Sequence, residues 1–267
     1  MPTTRANGID IYYEVAGAGP PLILISGLGY GLWQWHKMVP LLSDQFRVIA
    51  FDNRGAGQTD KPAGPYSAAM LADDTACLLE ALGIDRAIVL GHSMGGFIAQ
   101  QMALSHSHCI DTLVLASTTF GGPNQIPVTP EALAILTDTT LDPVERMRRG
   151  SAVACAPGFA EAHPELVEEL TQYRLTVPVP PEAYQSQLAI GLSLATAEAA
   201  FEGKLGNIDI PTLIFFGEHD NVVPPGNADL LAAEIPGSRV YILSDAGHLF
   251  PIEAPDRAAA ALIDLLS

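Results

Sequence analysis

The chain has 267 residues, 48% hydrophobic and only 16% charged, which is enough apolar side chain for a large buried core and excludes a disordered protein. Lys+Arg 13 against Asp+Glu 30 leaves a net charge of −17, which argues against nucleic acid or an anionic membrane face as a partner. The opening MPTTRANGID lacks the apolar core of a secretory signal, no apolar run is long enough to span a bilayer, and Cys77, Cys109 and Cys155 read as buried thiols of a reducing compartment, so the cytoplasm is the expected location.

Residues 9–17 (IDIYYEVAG) alternate apolar and polar side chains, as a half-buried strand does, and AGPP then turns the chain. Short unbroken apolar runs follow at residues 21–26 (PLILIS), 47–52 (RVIAFD), 86–91 (RAIVLG), 111–117 (DTLVLAS), 211–217 (PTLIFFG) and 238–243 (SRVYIL). Runs of this length without alternation predict strands covered on both faces, hence a mostly parallel sheet flanked by helices. Helical patterns separate them, at residues 67–82 (SAAMLADDTACLLEAL, closed by Gly83) and at residues 97–106. The alternation lapses between Phe120 and Leu205, where prolines break helix-like pieces (PNQIPVTP, TVPVPP) and no strand pattern occurs. The expectation is an α/β core of residues 1–119 and 206–267, with residues 120–205 inserted before the last two strands as a helical cap over one end of the sheet.

The stretch VLGHSMGGF joins a predicted strand to a predicted helix and crowds Gly91, Gly95 and Gly96 around Ser93. Glycine has the most backbone freedom to lose on folding, so such a cluster marks a junction that must be sharp and uncrowded. In a strand–turn–helix of this kind the central residue is held in a strained conformation above the sheet, and small residues two positions away on either side avoid collision. The following helix points free N–H groups at any negative charge that develops near the Ser93 hydroxyl.

A nucleophilic serine needs a base, and the base needs an orienting acid. Of the histidines, His92 adjoins the serine but is expected to point away from it. His106 and His108 end a helix, His163 precedes a proline in the insertion, and His36 follows Trp35 in an expected helix. His248 follows the last predicted strand, in a glycine-containing loop at the same carboxyl end of the sheet as Ser93, where open α/β sheets place their active sites. Asp220, in the loop after the preceding strand, is the favoured acid; Asp245 reads as a turn-former.

The pieces LISGLGYGLWQW, FDNRGAGQTD, GHSMGG, IPTLIFFGEHDNVVP and DAGHLFPIEAPD, in this order, resemble the α/β-hydrolase superfamily over essentially the whole chain. Within it the likeness is to small capped esterases and lactonases, the 3-oxoadipate enol-lactonase-like group among them. The resemblance implies Ser93 as nucleophile, His248 as base and then acid, and Asp220 as orienter. It also implies an oxyanion hole formed by the backbone N–H groups of Met94 and Leu28, although Ser26-Gly27 stands where many relatives have His-Gly. No metal or cofactor is expected: the sequence has no H-E-x-x-H, no Cys/His cluster and no G-K-[ST] phosphate loop.

Gly27, Tyr30, Trp33 and Leu249 lie near the catalytic loops in sequence and Phe120 opens the insertion; these are the expected substrate contacts. Phe159, Tyr173, Tyr184 and Phe201 add further aromatic residues in the insertion, and Arg146, Arg148, Arg149, Arg174 and Lys204 supply its positive charge. The aromatic residues favour a small, partly apolar ester or lactone. A carboxylate-bearing lactone, carbon–carbon bond cleavage, cofactor-free perhydrolysis and a ligand-sensing receptor that keeps the triad are the alternatives. The chain is expected to be a monomer or homodimer.

Overall fold

The computed structural model describes residues 2–138 and 140–266. Its strands are β1 (Thr3–Ala6), β2 (Ile9–Ala16), β3 (Pro21–Ile25), β4 (Arg47–Phe51), β5 (Ala87–His92), β6 (Ile110–Ala116), β7 (Thr212–Gly217) and β8 (Arg239–Leu243). They form one eight-stranded sheet in the order β1-β2-β4-β3-β5-β6-β7-β8. The β1–β2 and β2–β4 pairs are antiparallel, and every pair from β4 to β8 is parallel.

The unbroken apolar runs have a direct explanation: alternate residues feed two cores. Ile23, Ile49, Val89, Leu113 and Ile214 face helices α2 (Ala68–Ala81) and α3 (Met94–Ser105). Leu22, Leu24, Val48, Val114 and Phe215 face the opposite layer, with Met38 and Leu42 of α1 (Met38–Leu42). Both faces of each central strand are therefore dry, and a polar residue in either register would be buried without a partner.

Between β6 and β7 the described residues form α4 (Pro130–Thr137), α5 (Pro143–Ala154), α6 (Phe159–Ala162), α7 (Pro164–Thr176) and α8 (Pro181–Ser193), and no strand. Four of these five helices begin with proline, so the residues that break one long helix are also those that start the next. The chain closes with α9 (Asn227–Glu234), α10 (Phe250–Glu253) and α11 (Pro255–Leu266).

Three local features differ from expectation. The N-terminal residues add strand β1 through a two-residue turn, with Asn7 at φ 44° and Gly8 at φ 76°, the conformation for which Asn-Gly is favoured in hairpins. Helix α3 starts at Met94, directly after Ser93, rather than at Phe97. His36 caps a short 3₁₀ turn, Leu32–Trp35, instead of lying within a helix.

Candidate active site

Ser93 occupies the junction of β5 and α3 with φ 58° and ψ −118°, a left-handed conformation that costs an L-residue on the order of 1–3 kcal/mol. Neighbouring contacts hold it there. Its N–H donates to the Ala116 carbonyl at 2.9 Å, and its carbonyl accepts from the Thr118 hydroxyl at 2.9 Å and from the Gly96 N–H at 2.8 Å. The surrounding glycines are required by close approach: a Cβ on Gly91 would fall 2.2 Å from the Gly95 carbonyl oxygen, and one on Gly95 would fall 2.2 Å from that of Ile25.

Asp220 and His248 come from the loops after β7 and β8, and both are buried, at 2% and 6% exposure. Asp220 Oδ1 accepts from the Val222 and Val223 amides at 2.9 and 2.7 Å, and Oδ2 lies 2.8 Å from His248 Nδ1. A carboxylate only accepts, so Nδ1 carries the proton and Nε2 is left with a free lone pair. Asp245 stands apart from this pair: at φ 46°, its N–H donates to Glu218 Oε2 at 3.0 Å and its carbonyl accepts from Arg257, so it serves a turn.

Ser93 and His248 border one cavity of about 340 Å³, within the size range of small-molecule sites. The Ser93 hydroxyl makes no hydrogen bond among the described residues. Contacts of this kind often tighten only when substrate is bound. Gly27, Leu28 and Met94 line the same wall, with Tyr30 and Leu249 beside them. The amides of Leu28 and Met94 have no acceptor among the described residues, which leaves two donors free beside Ser93.

The structure places two expected contacts elsewhere. Trp33 is stacked on Tyr173, with ring centroids 5.3 Å apart and planes 3° from parallel, where its bulk packs with residues of α5 and α7. Phe120 is buried in the main core beside Leu194 and Phe201. Neither lines the cavity. From the segment between β6 and β7, the cavity receives Tyr184 but neither Phe159 nor Tyr173, and Arg146 and Arg174 but none of Arg148, Arg149 and Lys204.

Several supporting residues were not anticipated. His92 lies beneath the site: its Nδ1 is 2.9 Å from Gln34 Nε2 and its Nε2 is 2.8 Å from the His248 carbonyl. Gln34 Oε1 accepts from the Gly27 N–H at 2.9 Å, so its amide donates to Nδ1, and Nε2–H of His92 donates to His248. One chain of hydrogen bonds thus ties the loop carrying Leu28 to the loop carrying His248. Burial, with His248 nearby, pushes the His92 pKa well below the usual histidine range and keeps the ring neutral.

Gln187 of α8 reaches across to accept from the Gly29 N–H at 2.9 Å and to donate to the Arg54 carbonyl at 2.9 Å. Glu253 accepts from Gly247 N–H at 2.6 Å and from Ala156 N–H at 2.8 Å, and burial raises its pKa. All but the Glu253–Gly247 contact join residues far apart in sequence, and no local pattern marks them. Glu218, His219 and Asp245 could bring donor atoms within 4.8 Å of one another, but Glu218 and Asp245 are exposed and the group lies outside the cavity lining.

Comparison with known proteins agrees with this architecture. The family model of the alpha/beta hydrolase fold matches residues 20–255. The chain is 28% identical to 3-oxoadipate enol-lactonase 2 of Acinetobacter baylyi, over 95% of this chain and 91% of that protein. It superposes on a thermophilic esterase from Thermogutta terrifontis with TM-score 0.80 and 30% identity, covering 99% of this chain and 96% of the other. A meta-cleavage product hydrolase from Pseudomonas fluorescens gives TM-score 0.84 and 28% identity, covering 100% and 97%. No helix among the described residues is long and apolar enough to cross a membrane.

Proposed function

The chain belongs to the α/β-hydrolase family, and on that premise we propose that it cleaves carboxylic ester or lactone bonds of small, partly apolar substrates through a covalent intermediate on Ser93. The observation that carries this reading is the His248 Nδ1–Asp220 Oδ2 contact of 2.8 Å, which leaves Nε2 free as a base on a residue that borders the same cavity as Ser93. Ser93 Oγ attacks the carbonyl carbon while its proton passes to His248 Nε2. The amides of Leu28 and Met94 hold the resulting oxyanion, donors of a kind worth about 2.7–4 kcal/mol each. The tetrahedral intermediate collapses, the C–O bond breaks, and Nε2–H protonates the departing alkoxide. Water then gives a proton to Nε2 as it attacks the acyl carbon; the acyl–Oγ bond breaks, Nε2–H returns its proton to Ser93 Oγ, and the acid leaves. Asp220 holds the Nδ1–H tautomer throughout and stabilises the imidazolium.

The enol-lactonase, esterase and meta-cleavage hydrolase likenesses support hydrolysis, and the apolar lining of the cavity by Val128, Leu136, Leu188 and Val223 supports an apolar acyl or alcohol group. The test combines labelling with paired variants. A fluorophosphonate should modify Ser93 alone, and folded Ser93→Ala should lose about 10⁴-fold or more in turnover of a short p-nitrophenyl ester. Asp220→Asn should lose on the order of 10⁴-fold, with Asp245→Asn near the wild-type rate. Retained activity in folded Ser93→Ala would refute the mechanism.

A further inference from the structure

Helix α8 lines the cavity with one face. Tyr184, Gln187, Leu188, Gly191 and Leu192 all border it, at the three- and four-residue spacing of a single helical stripe. Exposure rises along that stripe: Tyr184 and Gln187 are buried, Leu188 and Gly191 half-buried, and Leu192 is 56% exposed. The cavity therefore follows α8 outward for about 12 Å, from Tyr184 to solvent at Leu192. Helix α4 shows the same gradient. Ala132 is buried, Ile135 and Leu136 are half-buried, and Leu133 lines the cavity while 43% exposed. At the inner end the Tyr184 hydroxyl ties the two helices, donating to the Leu136 carbonyl at 3.1 Å. Arg146, 4.3 Å over Tyr184, and Arg174, whose Nη1 donates to the Gly29 carbonyl, stand at this inner end, unpaired with any carboxylate among the described residues.

The outer end is apolar and held open. Pro127, Leu133, Leu192 and Ala195 are exposed residues that line the cavity, and Ile126 beside them is 39% exposed. The segment before α4 is fastened to the chain that follows β7. The Ile126 N–H donates to Asn227 Oδ1 at 3.0 Å, its carbonyl accepts from Asn227 Nδ2 at 2.9 Å, and the Thr129 hydroxyl donates to the Asn221 carbonyl at 2.7 Å. In a chain with Asp+Glu 30, no carboxylate side chain is among the described residues that line the cavity. A lone exposed leucine such as Leu175 is ordinary. Leu133 and Leu192 differ, because the same side chains carry the wall of the cavity outward, so its interior and the exposed apolar surface form one track. Inward, the track reaches Ser93 past Met94 and Phe97 of α3. A Cβ on Gly191 would meet Phe97 Cε2 at 3.6 Å, an ordinary contact, so glycine there keeps the passage beside that ring wide.

We propose that this track holds a linear alkyl chain of the substrate, which runs from the carbonyl at Ser93 past Phe97 and Gly191 and leaves the protein between Leu133 and Leu192. The outer end has no wall, so the far end of the chain stays outside, and the substrate class is an ester with a medium to long alkyl chain. Burial of successive methylenes along Leu136, Leu188 and Val128 supplies the affinity, and the apolar mouth covers the part that emerges. The chain is the acyl or the alcohol part of the ester, and its recognition is the same in both. The inference rests on the serine-hydrolase reading and lengthens the apolar part of its substrate.

Two ester series test this, at concentrations below aggregation: p-nitrophenyl alkanoates from acetate to dodecanoate, and alkyl acetates from ethyl to dodecyl. In at least one series kcat/KM should rise about tenfold or more from the shortest member to the octanoyl or octyl member, each buried methylene contributing about two- to fourfold, and should hold at dodecanoyl or dodecyl. A rise in the first series places the acyl part in the track, and a rise in the second places the alcohol part there. Leu192→Glu should cut the long-to-short ratio about tenfold, chiefly through KM, and Gly191→Leu should shift the preferred chain to a shorter one. Leu175→Glu sets the same charge on an exposed leucine outside the cavity lining and should leave the ratio unchanged. Because the ratio is taken within one preparation, loss of folded enzyme does not imitate the effect. Flat profiles in both series, a collapse beyond octyl in the wild type, or an unchanged ratio in Leu192→Glu would overturn the track while leaving the serine-hydrolase reading intact. Absence of both Ser93 labelling and turnover of every ester would overturn that reading instead, and calorimetric binding of octan-1-ol to the wild type, weakened in Gly191→Leu, would then decide the track alone.

Discussion

His92 shows how a residue adjacent to Ser93, the proposed nucleophile, serves the site through the hydrogen bonds of its ring. Its ring links Gln34, and through it the Gly27 amide, to the carbonyl of His248, so it can act only as a neutral group that accepts at Nδ1 and donates at Nε2. Protonation would set an N–H against the donating Gln34 amide and place a charge in a fully buried position. Burial accordingly lowers its folded-state pKa well below the ordinary value, whereas the unfolded chain binds the proton near pH 6.5. The sign follows: above that pH both states are neutral and the site costs nothing, and as pH falls below it the unfolded state gains protons that the folded state refuses. Stability should decline on acidification from about pH 6.5, by up to about 1.4 kcal/mol per pH unit from this one site. Urea unfolding at about pH 7 and about pH 5.5 checks this. His92→Asn, though less stable at both, should lose less between them. Equal losses in the two proteins would show that His92 is not held neutral.

At the scale of elements, the helices between β6 and β7 join the rest of the molecule at His248, the proposed base. The Ala154 carbonyl, at the end of α5, accepts from the His248 N–H at 2.6 Å and from the Leu249 N–H at 3.3 Å, while Glu253 of α10 clamps Gly247 and Ala156 together. A Cβ on Gly247 would stand 2.5 Å from the Ala154 oxygen and 2.7 Å from the Ala156 nitrogen, both backbone atoms that cannot rotate away. Gly247→Ala should therefore destabilise by about 1–3 kcal/mol and lower kcat even on the shortest neutral ester, because the displaced strand of backbone carries His248. Gly150→Ala, in α5 with nothing within 4 Å of the added Cβ, should instead raise thermal stability, by about 0.5–1 kcal/mol. Thermal unfolding of the two variants separates close approach from mere glycine content. The elements themselves differ in how much the sequence reveals. The central strands are legible because burial on both faces forces unbroken Val, Ile and Leu, and the turn at Ser93 is legible because only small residues fit around it. The β1–β2 hairpin carried its signal in Asn7-Gly8, but the four-residue edge strand before it, TTRA, is mostly solvated and shows no apolar pattern. The roles of Gln187, Glu253 and Arg174 depend on contacts 158, 97 and 145 residues away, which no local period encodes.

For the whole molecule, the net charge of −17 and the two unpaired arginines of the cavity act on an anionic substrate with opposite sign and at different range. The acidic surface acts through solvent, where fields decay over about 10 Å at 0.1 M salt and over about 30 Å at 0.01 M. At low ionic strength it should therefore hold anions away from the cavity. Arg146 and Arg174 act from the cavity wall, Arg174 buried and Arg146 half-buried, where salt weakens an attraction less than between exposed charges. Raising the ionic strength then removes repulsion faster than it removes attraction. For an ester that carries a free carboxylate, kcat/KM should climb by roughly two- to fivefold between about 0.01 and 0.15 M salt, and for a neutral ester of matched length it should stay nearly flat. The neutral ester controls for any effect of salt on the proposed triad or on hydrophobic burial. A fall in kcat/KM for the charged ester alone would mean that the carboxylate meets its cations in open solvent, which would contradict their placement in the cavity wall. The same rise in both esters would trace the salt effect to the protein as a whole and not to charge on the substrate.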